Sequence, residues 1–453
     1  MRNLLFIFTV VILSLSKDVQ SQTTYYMATD GNDANPGTIG SPKKTIESAI
    51  DLLSAGDILY IRGGTYTSVK ANSAVNRFLI DNLNGSLGDS IFILNYPGEQ
   101  PVFYLGDVYV AGSAGDGPTG LKVENCSYIH IRGIKIERLD QNPAGINTPC
   151  GVILYGTTNY VLEGMWVNDI EGYGFYFQNG SSNGKVINCD ASKCIDLYTG
   201  LGGANGFNIT GGDGSTNIYF YYCRAWEMSD DGFDNYSVPG VFYYIGCWAF
   251  RNGFYPGTNT TAGDGMGFKL GPSPEGNESN TLKYVYACLA AGNRLNGFDQ
   301  NSQSNTTCRM VFYNNSAISN GSNGYFFGAN LSTVQTFKNN LNYNNNIWGD
   351  EIQSGAQIAD NSWNLGGVTI NNSDFQSLDT SQLDGARDPV TFALPSITFG
   401  KLVSGSDCID ACGTDYGYGN DLGAFQYSAT VPPVIPSGVK HYMRGKVYKI
   451  IAQ

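Results

Sequence analysis

The chain has few histidines and few charged residues. It contains two histidines among 453 residues and no Cys-x-x-Cys pair, which argues against a zinc site. Charged residues make up 14% of the chain, and the formal net charge of −13 argues against nucleic acid as a partner. This net charge also does not attract an acidic polymer, so an acidic substrate would require a local basic patch or a bound cation.

Long apolar runs are scarce as well. The run from Leu4 to Leu15 follows Arg2 and precedes polar residues, which is typical of a secretory signal peptide over residues 1–22. This run is too short for a comfortable membrane span, and no other run in the sequence is long enough. We therefore expect a secreted, periplasmic or extracellular protein with no membrane partner.

Helical periodicity is almost missing between about residue 70 and residue 400. Short segments rich in Val, Ile, Tyr and Phe recur instead, separated by the turn-forming residues Asn, Gly, Ser and Asp. Glycine followed by an aromatic residue recurs at intervals of 26 to 35 residues, which indicates a repeat architecture. Unequal repeats of short strands favour a parallel β-helix over a helical solenoid or a propeller. The repeated pairs begin at Gly174, Gly206, Gly232, Gly267, Gly297 and Gly324.

The pattern divides the chain into three parts. Residues 1–22 are the predicted signal peptide, residues 23–427 the all-β parallel β-helix, and residues 428–453 a linker with a short basic tail. Thr45–Leu53 has the one clear helical pattern, and we predict that this helix caps the open N-terminal end of the solenoid. Asp421–Tyr427 has the pattern of a closing strand. We expect the protein to act as a monomer.

The predicted signal peptide would bring the ten cysteines into an oxidising compartment, where disulfides persist. Cys408 and Cys412 flank a short polar loop and could form a disulfide. Six others lie in strand-like segments at about the repeat spacing, which predicts a stack of small buried side chains, because free cysteine packs as an apolar residue. These six are Cys126, Cys189, Cys223, Cys247, Cys288 and Cys308.

Three carboxylates lie close together at Asp230, Asp231 and Asp234, and the next repeat places Lys269 at the position of Asp234. Equivalent positions on successive coils lie about 4.8 Å apart. Clustered carboxylates repel one another unless a cation neutralises them, and oxygen ligands suit calcium. The residues that precede the repeated glycines also align from coil to coil. Asn205 precedes Gly206 and Asp231 precedes Gly232, so Asn205 lies one coil from Asp231 and its side-chain oxygen is a further candidate ligand.

Two purely structural roles stay open for the residues that flank the repeated Gly-aromatic pairs. Asn296 and Asn323 are expected to form an asparagine ladder, and the phenylalanines after each glycine are expected to form a buried stack. Lys269 could pair with Asp234 or Asp299 without any metal ion. That arrangement would be a structural ion pair and would carry no chemistry.

Longer motifs resemble polysaccharide lyase family 9, whose members are right-handed parallel β-helix proteins. The resemblance implies that Asp230, Asp231 and Asp234 hold calcium and that Lys269 is the catalytic base. Asn205 stands where the family pattern leads us to expect an aspartate, so the site would have one negative charge fewer. The motifs are Ser229-Asp230-Asp231-Gly232-Phe233-Asp234, Trp248-Ala249-Phe250-Arg251-Asn252-Gly253, Gly265-Met266-Gly267-Phe268-Lys269-Leu270-Gly271 and Asn296-Gly297-Phe298-Asp299-Gln300-Asn301.

These residues suit β-elimination on a uronic acid polymer such as pectic galacturonan. A calcium ion can neutralise the C6 carboxylate while a neutral Lys269 removes the proton from C5. We expect Arg294 to grip a substrate carboxylate and Asp299 to contact the sugar chain.

A parallel β-helix can also carry other functions. A rhamnogalacturonan lyase and a non-catalytic carbohydrate-binding adhesin stay open. A glycoside hydrolase needs two suitably separated carboxylates, but the chain lacks the Gly-His-Gly and Arg-Ile-Lys segments of pectin hydrolases. It also lacks the Asp-Pro-His sequence of mannuronan epimerases.

Overall fold

The computed structural model describes most of the chain between residues 22 and 427. The described ranges are 22–67, 76–106, 118–143, 148–209, 214–236, 238–271, 281–301, 308–328, 333–346 and 351–427, with two short strands at 442–443 and 446–447. Residues 1–21 of the predicted signal peptide and nearly all of the predicted linker and tail therefore lie outside the described residues. The two short strands, Tyr442–Met443 and Lys446–Val447, pair antiparallel.

Three parallel sheets run along the chain, and all but the terminal coils contribute one strand to each sheet in turn. The first sheet contains Thr24–Met27, Ile58–Ile61, Ile91–Asn95, Ser127–Arg132, Thr158–Glu163, Ser182–Ile187, Thr216–Tyr221, Val241–Ile245, Leu282–Tyr286, Arg309–Tyr313, Thr336–Lys338 and Gln357–Ala359. The second contains Gly64–Thr67, Pro101–Tyr104, Lys135–Leu139, Trp166–Ile170, Asp190–Ser192, Arg224–Trp226, Trp248–Phe250, Leu289–Ala291, Ser316–Ile318 and Leu341–Tyr343. The third contains Asn76–Asp81, Thr119–Glu124, Cys150–Tyr155, Tyr173–Gln178, Phe207–Asn208, Phe233–Asp234, Phe268–Lys269, Phe298–Asp299, Tyr325–Phe327 and Glu351–Ile352. This architecture confirms the predicted parallel β-helix.

The corner between the first and second sheets shows why the sequence turns there. Its first residue has a left-handed backbone, as at Asn188 (φ 54°) and Asn314 (φ 52°), a conformation that asparagine tolerates. The second residue of the corner points inward. In four successive coils it is a buried cysteine, at Cys189, Cys223, Cys247 and Cys288.

The cysteine prediction is therefore confirmed in part. All ten cysteines are free and buried. Cys126 and Cys308 lie at a different corner, between the third and first sheets, and so do not extend the stack. The disulfide that Cys408 and Cys412 could form is not present, because both thiols are free: Cys408 lies in an apolar cluster and Cys412 lies 3.6 Å from the carbonyl of Asp360.

Asparagine ladders follow the corners of the later coils. In one of them the side-chain amides of successive rungs hydrogen-bond at 2.9 Å. Asn296 and Asn323 are not rungs of this kind, since Asn296 accepts the backbone N–H of Asn323 at 2.9 Å through its side-chain oxygen. The predicted ladder thus exists at other positions, namely Asn252, Asn293, Asn320 and Asn345 and, at a second corner, Asn315, Asn340 and Asn361.

The predicted aromatic stack fills the interior beneath the third sheet. Phe233 and Phe268 stack with ring centroids 4.7 Å apart and planes within 2°. Similar parallel contacts extend the column in both directions and bury the ring faces from water. The column contains Phe175, Phe207, Phe233, Phe268, Phe298 and Tyr325.

The predicted N-terminal helix is present but short. It spans Ile46–Ile50, and the Thr45 side chain caps it by accepting the N–H of Ser48. Ile46, Ala49 and Ile50 are buried on the side that faces the solenoid core. That the helix closes the open end of the solenoid stays a prediction.

The chain beyond Ala359 wraps around the outside of the solenoid instead of adding coils. Its apolar residues, such as Phe399 and Leu422, bury the outer faces of Trp248 and Leu289 on the second sheet. Asp421–Tyr427 contains no strand, so that prediction is wrong. The Asp421 carboxylate accepts the backbone N–H groups of Asp410 and Tyr427 at 2.7 and 2.5 Å, which folds the segment back on itself. Among the described residues, no helix is long and apolar enough to cross a membrane.

Candidate active site

The predicted site residues meet on the outer face of the third sheet. In the parallel register, Asp234 pairs with Asn208 on one side and with Lys269 on the other, and Lys269 pairs with Asp299. Each follows an inward-facing phenylalanine, so alternation along the strand turns it outward. The column predicted from the sequence is confirmed.

The glycine before each phenylalanine brings successive coils close together. A Cβ atom on Gly232 would lie 2.6 Å from the carbonyl oxygen of Gly267, and a Cβ atom on Gly206 would lie 2.6 Å from that of Gly232. Contacts this short are forbidden to any other residue, so the repeated glycine is a steric requirement of this sheet. It follows that the Gly-Phe spacing sets the register of the polar residues after it.

The residue before each glycine links its coil to the next one. The side-chain oxygen of Asn205 accepts the N–H of Asp231 at 2.9 Å, and one oxygen of Asp231 accepts the N–H of Met266 at 2.7 Å. Asp231 therefore has a structural role through one oxygen. Its second oxygen faces Lys269.

Lys269 lies among carboxylates. Its ammonium Nζ lies 3.0 Å from Oδ2 of Asp231, and 3.9 and 3.8 Å from oxygens of Asp234 and Asp264. Burial alone would lower the pKa of Lys269, but the charges of the aspartates, Asp231 foremost, outweigh it and raise that pKa well above its usual value. In this arrangement the lysine holds its proton firmly.

The pKa values of the aspartates are raised as well, which for a carboxyl group favours the neutral form. Burial, reinforced by the charge of Asp231, raises the pKa of Asp230 to about 8. Burial also raises the pKa of Asp234 to about 7, although the Lys269 charge opposes this shift. Asp299 is raised to a pKa of about 6 by burial, against hydrogen bonds from Asn296 and the N–H of Asn301. Keeping all of these groups ionised therefore requires additional positive charge.

Asn205 lies beside the cluster, as predicted, but with its amide nitrogen toward it. Its Nδ2 donates to Oδ2 of Asp234 and to Oδ1 of Asn208, both at 3.1 Å, while its oxygen is used by the N–H of Asp231. In this orientation no oxygen of Asn205 faces the aspartates. Its role as a metal ligand stays a prediction.

Hydrogen bonds link Arg294 through the backbone of Asp264 to Asp230, and the sequence did not reveal this link. Nη1 of Arg294 donates to the carbonyls of Gly263 and Asp264 at 2.9 and 3.0 Å, and the N–H of Asp264 donates to Asp230 at 2.8 Å. The Asp264 carboxylate is 60% exposed and faces Lys269. Its only sequence signal is its position in the same coil, shortly before the Gly-Phe-Lys motif. Binding of substrate by Arg294 would involve Nε and Nη2.

The residues present fit a hard cation by chemistry. Oδ1 of Asp234 is buried and has no hydrogen-bond partner, and the surrounding donor atoms are carboxylate oxygens, which calcium prefers. Within the described residues, carboxylate oxygens of Asp230, Asp231 and Asp234 do not all approach within 4.8 Å of one another, and the Lys269 ammonium lies 3.0 Å from Asp231. A cation held there would take over the neutralising role of that ammonium.

Comparisons with known proteins agree with this fold. The family model described as "Pel9A-like, right handed beta helix region" matches residues 25–346. Pectate lyase L of Dickeya dadantii (strain 3937) is 31% identical over 424 residues, covering 91% of this chain and 92% of that protein. Pectate lyase PEL9 of Emericella nidulans is 29% identical, covering 82% of this chain and 92% of that protein.

Two solved structures share the whole architecture. The crystal structure of pectate lyase Pel9A has a TM-score of 0.75 at 27% identity and covers 90% of this chain and 97% of its own. A rhamnogalacturonan lyase has a TM-score of 0.72 at 27% identity and covers 85% of this chain and 97% of its own. The β-helix is therefore right-handed. On the matched model and the extent of these similarities, the chain belongs to polysaccharide lyase family 9, the family of the Pel9A-like right-handed β-helix, and is a polysaccharide lyase.

Proposed function

We propose that this protein is a secreted, calcium-dependent lyase that cleaves pectic galacturonan by β-elimination, with Lys269 as the base. The observation that carries the proposal is the position of the Lys269 ammonium, 3.0 Å from Asp231 and 3.9 Å from Asp234. A basic group and a set of hard-cation ligands share one surface of the solenoid. The names of the relatives, pectate lyase and rhamnogalacturonan lyase, support an acidic polysaccharide as the substrate.

Asp230, Asp231 and Asp234 would hold the calcium ion, with Asp264 as an exposed carboxylate at the margin of the site. When bound, calcium would neutralise the C6 carboxylate of a galacturonate unit and stabilise the negative charge that develops there. Asp231 uses one oxygen for the next coil, which leaves its second oxygen for the ion. Secretion is supported by the apolar run that follows Arg2.

Lys269 would remove the proton from C5 of the sugar. The electron pair of that C–H bond forms the C4–C5 double bond, and the C4–O bond to the next sugar breaks. The leaving oxygen departs with the electron pair of the C4–O bond and takes up a proton from water. Lys269 must be neutral before this step, and a divalent cation among the same carboxylates disfavours its ammonium form.

Two further residues would position the polymer. Asp299 lies one coil beyond Lys269 in the same column. It is 2% exposed and its oxygens accept hydrogen bonds from Asn296 and Asn301, so contact with a sugar chain would require one of these bonds to open. Arg294 is half-buried and would use Nε and Nη2 for a substrate carboxylate, since Nη1 is occupied by two carbonyls. Both assignments predict effects on KM rather than on the proton transfer.

The rhamnogalacturonan backbone is the second candidate substrate. The observation in its favour is the likeness to a rhamnogalacturonan lyase, which nearly equals the likeness to Pel9A in TM-score. Both polymers contain galacturonate, so the same base and the same cation would serve either one.

A panel of uronic polysaccharides, assayed with and without a chelator for unsaturated products that absorb in the ultraviolet, tests the proposal. We expect polygalacturonate to give the highest rate, and only when calcium is present. A higher rate on rhamnogalacturonan would change the substrate, and full activity in excess chelator would remove calcium from the mechanism.

A further inference from the structure

A fully buried lysine lies inside the solenoid, beneath the proposed active site. Lys283 belongs to the first-sheet strand Leu282–Tyr286, and its side chain is 0% exposed. A buried ammonium is costly unless polar groups surround it. Apolar residues occupy the same interior position on the coils to either side: Phe242 and Met310 are its register partners, and both are buried.

The ammonium of Lys283 reaches across the interior to the third sheet. It donates to the carbonyl of Asn235 at 2.6 Å and to the carbonyl of Leu270 at 2.7 Å. Asn235 directly follows Asp234, and Leu270 directly follows Lys269. One interior charge thus holds two successive coils at the residues next to a predicted calcium ligand and the predicted base.

This contact matters because the third-sheet strands are very short at this point. Phe233–Asp234 and Phe268–Lys269 contain two residues each, so few ladder hydrogen bonds set their relative position. The neighbouring ladder bonds run from the N–H of Asn235 to Lys269 and from the N–H of Leu270 to Asp299, at 2.9 and 2.8 Å. Lys283 adds a charged anchor at the end of both strands, where hydrogen bonds to charged groups are the stronger kind.

We propose that Lys283 is a positioning residue for the active site: its ammonium fixes the carbonyls of Asn235 and Leu270, and thereby the spacing between Asp234 and Lys269. This inference rests on the proposed function of those two residues. Lys283 contacts no substrate and takes no part in proton transfer. Misplacement of reacting groups by about 1 Å is enough to reduce a rate by about a hundredfold.

The test replaces Lys283 with Met, the residue found at the next rung as Met310. Lys185→Met is the control, because Lys185 is also buried in the first sheet, at 4% exposure, three coils earlier, but on the opposite face, in register with Tyr219, Tyr243 and Tyr284. For Lys283→Met we expect kcat to fall by about tenfold or more with KM within about twofold, since the change affects a transition-state geometry and not ground-state binding. For Lys185→Met we expect kcat to stay within about twofold of the parent.

Hydrogen exchange gives a readout that does not depend on activity. The amides of Asn235 and Leu270 should exchange faster in Lys283→Met than in the parent or in Lys185→Met. Parent-like kcat in folded Lys283→Met, or an equal loss of kcat in Lys185→Met, would overturn the proposal. If Lys283→Met does not fold, Lys283→Gln, which keeps a donor, should show an intermediate kcat, and a parent-like value would overturn the proposal too.

Two outcomes separate this inference from the proposed function. Retained activity in Lys269→Ala would refute the proposed base, while the exchange rates would still decide whether Lys283 anchors the two carbonyls. If neither Lys283→Met nor Lys283→Gln folds, the residue is needed for folding itself, and the positioning role is overturned.

Discussion

The ammonium of Lys269 lies 3.0 Å from one oxygen of Asp231, and the other oxygen of that carboxylate accepts the backbone N–H of Met266 at 2.7 Å. Asp231 thus stabilises the contact between two coils and also forms part of the proposed active site. The geometry also means that the lysine is held as a cation by the groups that are proposed to bind calcium. Four predictions follow from this relationship and from its neighbours.

Lys269→Ala should reduce kcat by about a hundredfold to ten-thousandfold, the range expected for the loss of a general base. Lys269→Arg should be as inactive, because a guanidinium keeps the positive charge but cannot release its proton in this pH range. The rate of the parent should rise into the alkaline range as Lys269 loses its proton. Activity of Lys269→Arg near the parental value would show that only the charge at this position matters.

Asp231→Asn separates the two roles of this carboxylate. The amide oxygen can still accept the N–H of Met266, whereas the negative charge toward Lys269 is lost, so we expect a folded protein that requires much more calcium. Asp231→Ala removes both roles and should lower the melting temperature as well, since it leaves a buried N–H without its acceptor. Calorimetric calcium affinity and thermal unfolding measure the two effects. Equal calcium affinity in parent and Asp231→Asn would exclude the charge of Asp231 from the site.

Asn205→Asp should have opposite effects with and without calcium. The Nδ2 of Asn205 now donates to Asp234 at 3.1 Å, and a carboxylate oxygen in its place would repel that aspartate. We therefore expect a lower melting temperature in chelator and a larger stabilisation by calcium, because one ligand charge is gained. Both are measured by thermal unfolding as calcium is titrated.

Asn296→Asp is the control for this experiment. Asn296 makes similar bonds three coils later: it accepts the N–H of Asn323 from the next coil and donates to Asp299 of its own coil at 2.5 Å. Its substitution should destabilise the protein in chelator without a matching gain on adding calcium. A similar gain for both variants would mean that calcium is not bound beside Asn205.

Calcium binding should strengthen as pH rises from about 4 to about 8. The unfolded chain has an aspartate pKa near 3.9, whereas folding raises the pKa of Asp230 to about 8 and that of Asp234 to about 7. Because the folded state prefers the protonated acids, their contribution to stability is fully present below about pH 4 and is lost as pH rises through the folded values. The calcium-free protein should therefore melt at progressively lower temperature over this interval.

The rise in melting temperature caused by calcium should grow over the same interval, since the ion displaces protons from these acids. Calorimetry in two buffers of different ionisation enthalpy counts the protons released. Asp234→Asn should release fewer protons than the parent. A calcium effect that is independent of pH would contradict the raised pKa values.

The sequence by itself determined the repeat and the column of outward-facing residues that contains Asp234 and Lys269. The spacing of glycine and phenylalanine predicts the register because a Cβ atom at Gly232 would collide with the next coil, and the aromatic residue must be buried. These are local requirements of sterics and burial that can be read from the residue types. The adjacency of Asp234 and Lys269, 35 residues apart in the chain, follows from them alone.

The tertiary structure decided which atoms face one another and what the rest of the chain does. The sequence could not show that Asn205 presents its nitrogen, because that depends on the N–H of Asp231 arriving from the next coil. Nor could it show that Lys283 points inward to two carbonyls, since an isolated lysine in a strand usually faces water. The path of the chain after Ala359 was equally hidden, because its apolar residues pack on an outer sheet face that exists only once the coils are stacked.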